Sequence, residues 1–195
     1  MRGKTSVGIG FMRMRSLVAF ILFLVAPAAF AAIEKFATPS DNGVVFQWWP
    51  KVTPPRGWHH DEGSSRHFAF NALAPDGSTF SKAETVLYAQ ASYKPRIPQV
   101  KSLTAFVAND LEEQRASSPG ISITPEPALH SRNGLAFRVV RFEPGKAATG
   151  AWERVAYAED GEYFLTFAVS SHSRAGLKSS AAAFQQLLDG YTPGP

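Results

Sequence analysis

Apolar and polar positions follow a two-residue period in several stretches and a helical period in two others. The first strand is expected at Val44 to Trp49, after the Asn42-Gly43 turn signal and before Pro50, Pro54 and Pro55. A second is expected at Arg66 to Leu73, where Phe68, Phe70 and Ala72 alternate with His67, Ala69 and Asn71. Pro75-Asp76-Gly77 reads as a turn, because Pro sets φ and Gly tolerates positive φ. The third strand, about Thr85 to Tyr93, holds the apolar run Val86, Leu87, Tyr88 and Ala89, which suits a strand covered on both faces. After Pro95 and Pro98 the period changes. Leu103, Phe106, Val107, Asp110 and Leu111 share one helical face, predicting a helix from about Ser102, its N-cap, to Ala116, ended by Pro119-Gly120.

The second half reads as antiparallel sheet. Ile121 to Thr124 and Ala128 to Ser131 are short, and Asn133-Gly134 turns the chain into Leu135 to Phe142. Trp152 to Ala158 and Tyr163 to Ser170 flank a hairpin whose turn is expected to centre on Asp160-Gly161 with type I′ geometry. Leu177, Ala181, Phe184 and Leu188 form the stripe of one closing helix, Arg174 to Asp189, capped by Ser173 and stopped at Gly190 in a left-handed conformation. Strands, helix, antiparallel strands and helix in that order argue an α+β domain, a meander sheet with covering helices.

The N-terminus carries a different pattern. Arg2, Lys4, Arg13 and Arg15 precede the apolar run Ser16 to Phe30, and Ala29-Phe30-Ala31 offers small residues before a cut at Ala32. These are the three parts of a secretory signal peptide, and Pro27 interrupts the run short of a spanning helix. The expected organisation is a signal peptide at 1–31, a flexible lead-in at 32–43, one globular domain at 44–191 and a tail at 192–195. Location is expected to be periplasmic or secreted, with no membrane attachment after cleavage.

Charge then changes the picture. The formal net charge is +4, yet four of the 20 basic residues stand before residue 16 and all 16 acidic residues after residue 33, so the rest balances at 16 and 16. A pI near 9.5 is therefore no sign of a nucleic-acid-binding domain. The chain has no Cys, which excludes a lipid-modified N-terminal Cys and disulfide support.

Three segments resemble the PsbP-like superfamily, or Mog-type fold. They are Phe46 to Trp58, the hairpin Trp152 to Ser171, and the closing helix with Phe184, Leu187, Leu188 and Tyr191. The resemblance implies an α/β/α sandwich around an antiparallel sheet and a non-enzymatic binding or assembly role. It carries over no functional residue, and the absence of Cys departs from the lipoproteins common among exported bacterial members.

Candidate chemistry is sparse. His59, His60 and His67, with Asp61 and Glu62, are the only metal-like cluster, but the spacing fits no ligand motif, and His59 and His60 on an extended chain point opposite ways. They are read as a polar loop, with no metal and no cofactor expected. Trp48, Trp49 and Trp58 are dense, and adjacent Trp48 and Trp49 face opposite sides of a strand. Arg138, Arg141 and Arg154 form a possible basic stripe, offset by Glu84, Glu143 and Glu153. No nucleophile elbow, phosphate loop or dinucleotide fingerprint occurs, and Ser64, Ser65 and His67 are close only in sequence, so no catalytic residue is assigned. The expected function is a soluble exported accessory or assembly protein of the bacterial envelope. Its partner, an envelope protein or small ligand and not nucleic acid, would meet a surface around Trp49, Trp58, His59, His60 and His67. The alternatives are a small-molecule carrier with an aromatic-lined pocket between sheet and helix, and a hydrolase whose residues converge only in the fold.

Overall fold

A computed structural model describes residues 32–40, 43–145 and 150–194. The elements in chain order are β1 (Ile33–Ser40), β2 (Gly43–Pro50), β3 (Trp58–His60), α1 (Glu62–Phe68), β4 (Asn71–Pro75), β5 (Thr85–Tyr93), α2 (Leu103–Ser117), β6 (Ser122–His130), β7 (Ala136–Glu143), β8 (Trp152–Asp160), β9 (Tyr163–Ser171), α3 (Arg174–Ser179) and α4 (Ala181–Asp189). The signal segment at 1–31 and its cleavage site lie outside the described residues, as does Asn42.

One antiparallel sheet runs β1-β2-β5-β9-β8-β7-β6. The long β5 pairs along its whole length with β9. Its opposite edge is shared: Leu87 to Ala89 pair with β4, and Ala91 pairs with Trp48 of β2. Alternation along the central strands sends side chains to two cores. On one face Phe137, Val139, Ala156, Leu165, Phe167 and Val169 meet Leu177 of α3, Phe184, Leu187 and Leu188 of α4, and Tyr191 two residues beyond α4. On the other face Val140, Phe142, Val155, Tyr157 and Ala168 meet Val107, with Leu103, Phe106 and Leu111 of α2 packed against them. This is the expected α+β architecture, with helices on both faces of an antiparallel sheet.

Five expectations are corrected. The lead-in is a strand: β1 pairs with β2 in unbroken register from Ile33↔Pro50 to Ser40↔Gly43. Its cause is Phe36, stacked on Trp49 with ring centroids 3.8 Å apart, a diagonal cross-strand pair. The strand expected at Arg66 to Leu73 is instead α1 followed by β4. Asp61 caps α1 by accepting the Ser64 N–H at 2.9 Å, and Ala69 ends it in the left-handed region at φ 63°. Ile121 to Thr124 and Ala128 to Ser131 join as β6, with a register shift between Glu126 and Leu129 absorbing the irregularity.

The β8–β9 turn also shifts by one residue. Asp160 pairs with Tyr163, so Gly161 and Glu162 are central, with Gly161 at φ 52°; a Gly with positive φ leading a non-Gly residue is type II′ order. The closing helix breaks at Ser180 into α3 and α4, and Gly190 is right-handed at φ −77°. A Cβ at Gly190 would stand 2.7 Å from the Thr53 carbonyl oxygen, so close approach accounts for the glycine. As expected, Ser102 caps α2, accepting the Ala105 N–H at 3.2 Å.

Candidate functional site

The β1–β2 hairpin, the residues after β2 and the helix α1 enclose a groove of about 480 Å³. Its lining includes Phe36, Trp49, Pro50 and Val52 on the apolar side and His60, Glu62, Arg66 and Asn71 on the polar side. Trp49 is 7% exposed, and its indole N–H is buried with no hydrogen-bond partner among the described residues. An orphan donor of this kind costs about 1–3 kcal/mol. His60 is fixed at both ring nitrogens, Nδ1 at 2.9 Å from Asn71 Oδ1 and Nε2 at 3.2 Å from the Val52 carbonyl oxygen. Asn71 is held in turn by donating to the Pro50 carbonyl at 3.1 Å. The local order β2, loop, β3, α1, β4 thus aims one histidine and one tryptophan at a common space.

The other sequence candidates diverge from it. His59 faces Asp76, with Nδ1 3.4 Å from the carboxylate. His67 lies edge-on against Phe68 at 4.6 Å. Trp58 is half-buried against the core under α3 and α4, and Trp48 stacks on Tyr93 at 5.1 Å. An apolar patch centred on Trp49 is therefore not what the surface offers, since Phe36 covers that ring. Among the described residues no group of three or more His, Cys, Asp or Glu side chains is placed to hold a metal ion.

Ser65, a neighbour of His67 in sequence, is buried and engaged: its hydroxyl donates to the Asp61 carbonyl at 2.8 Å and accepts the Ala72 N–H at 2.9 Å. Asp61 also accepts the Phe80 N–H at 2.9 Å. These backbone hydrogen bonds, from Phe80 and then Ser64, hold its carboxyl below the usual range. Both residues are explained as structural supports of α1.

Titratable groups do converge beneath α2. Asp110 of α2 accepts a short hydrogen bond from the Tyr157 hydroxyl. Burial raises the Asp110 carboxyl, against the lowering effect of that bond. Burial also raises Glu153, and repulsion from Asp110 adds to it. Desolvation pushes Tyr88 and Tyr157 upward. Glu153 and Tyr88 line a cleft of about 290 Å³, whereas Asp110 and Tyr157 are not among its lining. The arrangement ties α2 to β8 through the Asp110–Tyr157 hydrogen bond.

The basic stripe resolves into an ion-pair network. Arg141 and Arg154, partners across β7 and β8, project onto the face of α3, while Arg138 is on the opposite face. Arg154 Nε is 2.5 Å from Glu126, and Arg141 Nε is 3.4 Å from both Glu126 and Glu143. Glu126 and Arg174 were not singled out in sequence, because the pairing of β6 with β7 and the landing point of α3 are long-range facts. For the groove, Phe36 and Asn71 were missed for the same reason; Phe36 and Ile33 are three apart and give no strand period.

No helix among the described residues is long and apolar enough to cross a membrane. No family model matches the chain, and no curated protein matches it. The chain is similar to a solved Pseudomonas aeruginosa protein of unknown function, PA94, at TM-score 0.49 and 12% identity, over 83% of this chain and 98% of that one. It is also similar to the solution structure of cyanobacterial PsbP from Synechocystis sp. PCC 6803, at TM-score 0.44 and 12% identity, over 88% of this chain and 98% of that one.

Proposed function

We propose that this chain is an exported, non-enzymatic binding or accessory protein of the bacterial cell envelope, and that it meets its partner at the groove between the β1–β2 hairpin and α1. The observation that carries this reading is the convergence of two aromatic side chains, Phe36 and Trp49, and a hydrogen-bonded polar pair, His60 and Asn71, around one space. A partner segment that lays an apolar side chain on Pro50 and Val52 beside the polar groups of His60 and Asn71 suits such a space. Lys51 and Arg66 stand exposed at its rim and supply positions for a probe.

The test places a photo-crosslinking residue at Lys51 or at Arg66 in the envelope, with Glu113 on exposed α2 as the control position. The reading expects one envelope protein captured from both rim positions and not from Glu113, with capture reduced by His60→Ala. Equal capture from Glu113, or no effect of His60→Ala in a variant that melts normally, rejects the groove as the contact surface.

A further inference from the structure

A second groove, of about 720 Å³, shares no lining residue with the first and lies between α3 and residues of β6, β7 and β8. Its lining holds four cations, Arg141, Arg154, Arg174 and Lys178, against two carboxylates, Glu126 and Glu143. The inner part is internally matched. Arg154 pairs with Glu126 at 2.5 Å, and Arg141 lies 3.4 Å from each glutamate. The match is incomplete: Arg141 Nε and Glu143 Oε1 are buried without a hydrogen bond, since their distance suits an ion pair and their alignment does not suit a hydrogen bond. The outer part has excess positive charge. Arg174 reaches Glu143 only at 3.9 Å, and Lys178 has no acidic partner within 4.0 Å among the described residues.

Between these charges the wall is apolar. Half-buried Trp152 lies under the Arg174 guanidinium, 5.6 Å from the ring centroid, and Leu177, Ala175 and Ala181 continue the surface. The volume is in the range of small-molecule sites, roughly 300–1,000 Å³. Two flexible cations at the rim, an apolar floor and a matched ion-pair wall suit a ligand with one negative end and an apolar body.

We infer that this groove is a binding site for a small amphipathic carboxylate. Its carboxylate sits between Arg174 and Lys178, and its hydrocarbon lies along Trp152 and Leu177. The site is separate from the groove proposed for the partner, so either reading can fail alone. The paired arginines of the inner wall set the local potential without being consumed by the ligand, because Glu126 and Glu143 already satisfy most of their charge.

Octanoate is the probe, followed by NMR on the Trp152 indole N–H of the purified protein. Octanoate is expected to shift that signal saturably, while octylammonium, 1-octanol and inorganic phosphate leave it in place. The double variant Arg174→Gln/Lys178→Gln changes exposed side chains and should keep the melting temperature. It is expected to weaken octanoate by about tenfold, the loss of two rim charge contacts. Raising salt should weaken the wild-type protein and barely affect the variant. An equal response to octylammonium or 1-octanol, an equal response to phosphate alone, or unchanged octanoate affinity in the variant overturns the assignment.

Discussion

Gly176 of α3 shows how one hydrogen atom in place of a methyl group sets the position of a helix. A Cβ there would lie 2.3 Å from Ser171 Oγ and 2.7 Å from Thr85 Oγ1, and those two buried hydroxyls are bonded to each other at 2.8 Å. Gly to Ala inside a helix ordinarily gains roughly 0.5–1 kcal/mol. Here the sign should reverse, because the methyl group forces apart a buried hydrogen-bonded pair between β5 and β9. Gly176→Ala is expected to lose about 1–3 kcal/mol in urea unfolding, the usual cost of overpacking. A gain in stability would mean that α3 can lift from the sheet without consequence. Asp110 makes a second case. Its folded pKa is raised by burial, so the folded state holds the proton more tightly than the unfolded chain. Stability from this group is complete below the ordinary carboxylate value and declines as pH rises through the raised folded value. Asp110→Asn keeps a polar partner for Tyr157 but does not titrate. The variant should therefore gain on the wild type as pH climbs from about 4 toward neutral, read from urea midpoints. A parallel pair of curves would show that the carboxylate is ionised in the fold at ordinary cost.

The elements differ in how far their own residues declare them. β5, β7, β8, β9 and α2 were legible because their patterns are local: an alternating or helical stripe, a Ser cap, an Asn-Gly or Asp-Gly turn. α1 was misread because His67, Phe68, Ala69 and Phe70 alternate like a strand. The cap that decides for helix, Asp61 with its second bond to Phe80, depends on a residue 19 positions away. β1 was missed because its stability is borrowed from β2. Phe36 contributes by covering Trp49, and the pair is invisible until the hairpin exists. That dependence can be measured. Phe36→Ala should cost about 2 kcal/mol, less than a full core Phe because the ring is only half-buried. It should also speed hydrogen exchange across Ile33–Ser40 far more than across β9. Uniform acceleration of both strands would mean that the hairpin and the central sheet open together. The groove beside Trp49 was half legible for the same reason: its aromatic and histidine residues stand out in sequence, while the strand that walls it does not.

At the scale of the whole molecule, charge separates residues 1–31 from the rest of the chain. The basic excess lies entirely in Arg2, Lys4, Arg13 and Arg15, and residues from Ala32 onward are balanced. A balanced domain has no global field to attract anions, so the excess of cations at the groove of Arg174 and Lys178 acts locally, over about a Debye length of 8–10 Å. The fold begins almost at once after the expected cut, since the Lys51 N–H donates to the Ala32 carbonyl at 2.8 Å and β1 starts at Ile33. Signal removal before Ala32 would leave the sheet intact and take away the whole net positive charge. The protein recovered from the envelope is therefore expected to have an intact mass beginning at Ala32 and to focus near neutral pH, whereas the precursor focuses near its pI of about 9.5. An envelope form that retains the basic segment, or one cut inside β1, would contradict the assignment of residues 1–31 as an address. In the first case the edge strand would be tethered to the membrane, and in the second the wall of the Trp49 groove would be lost with Phe36.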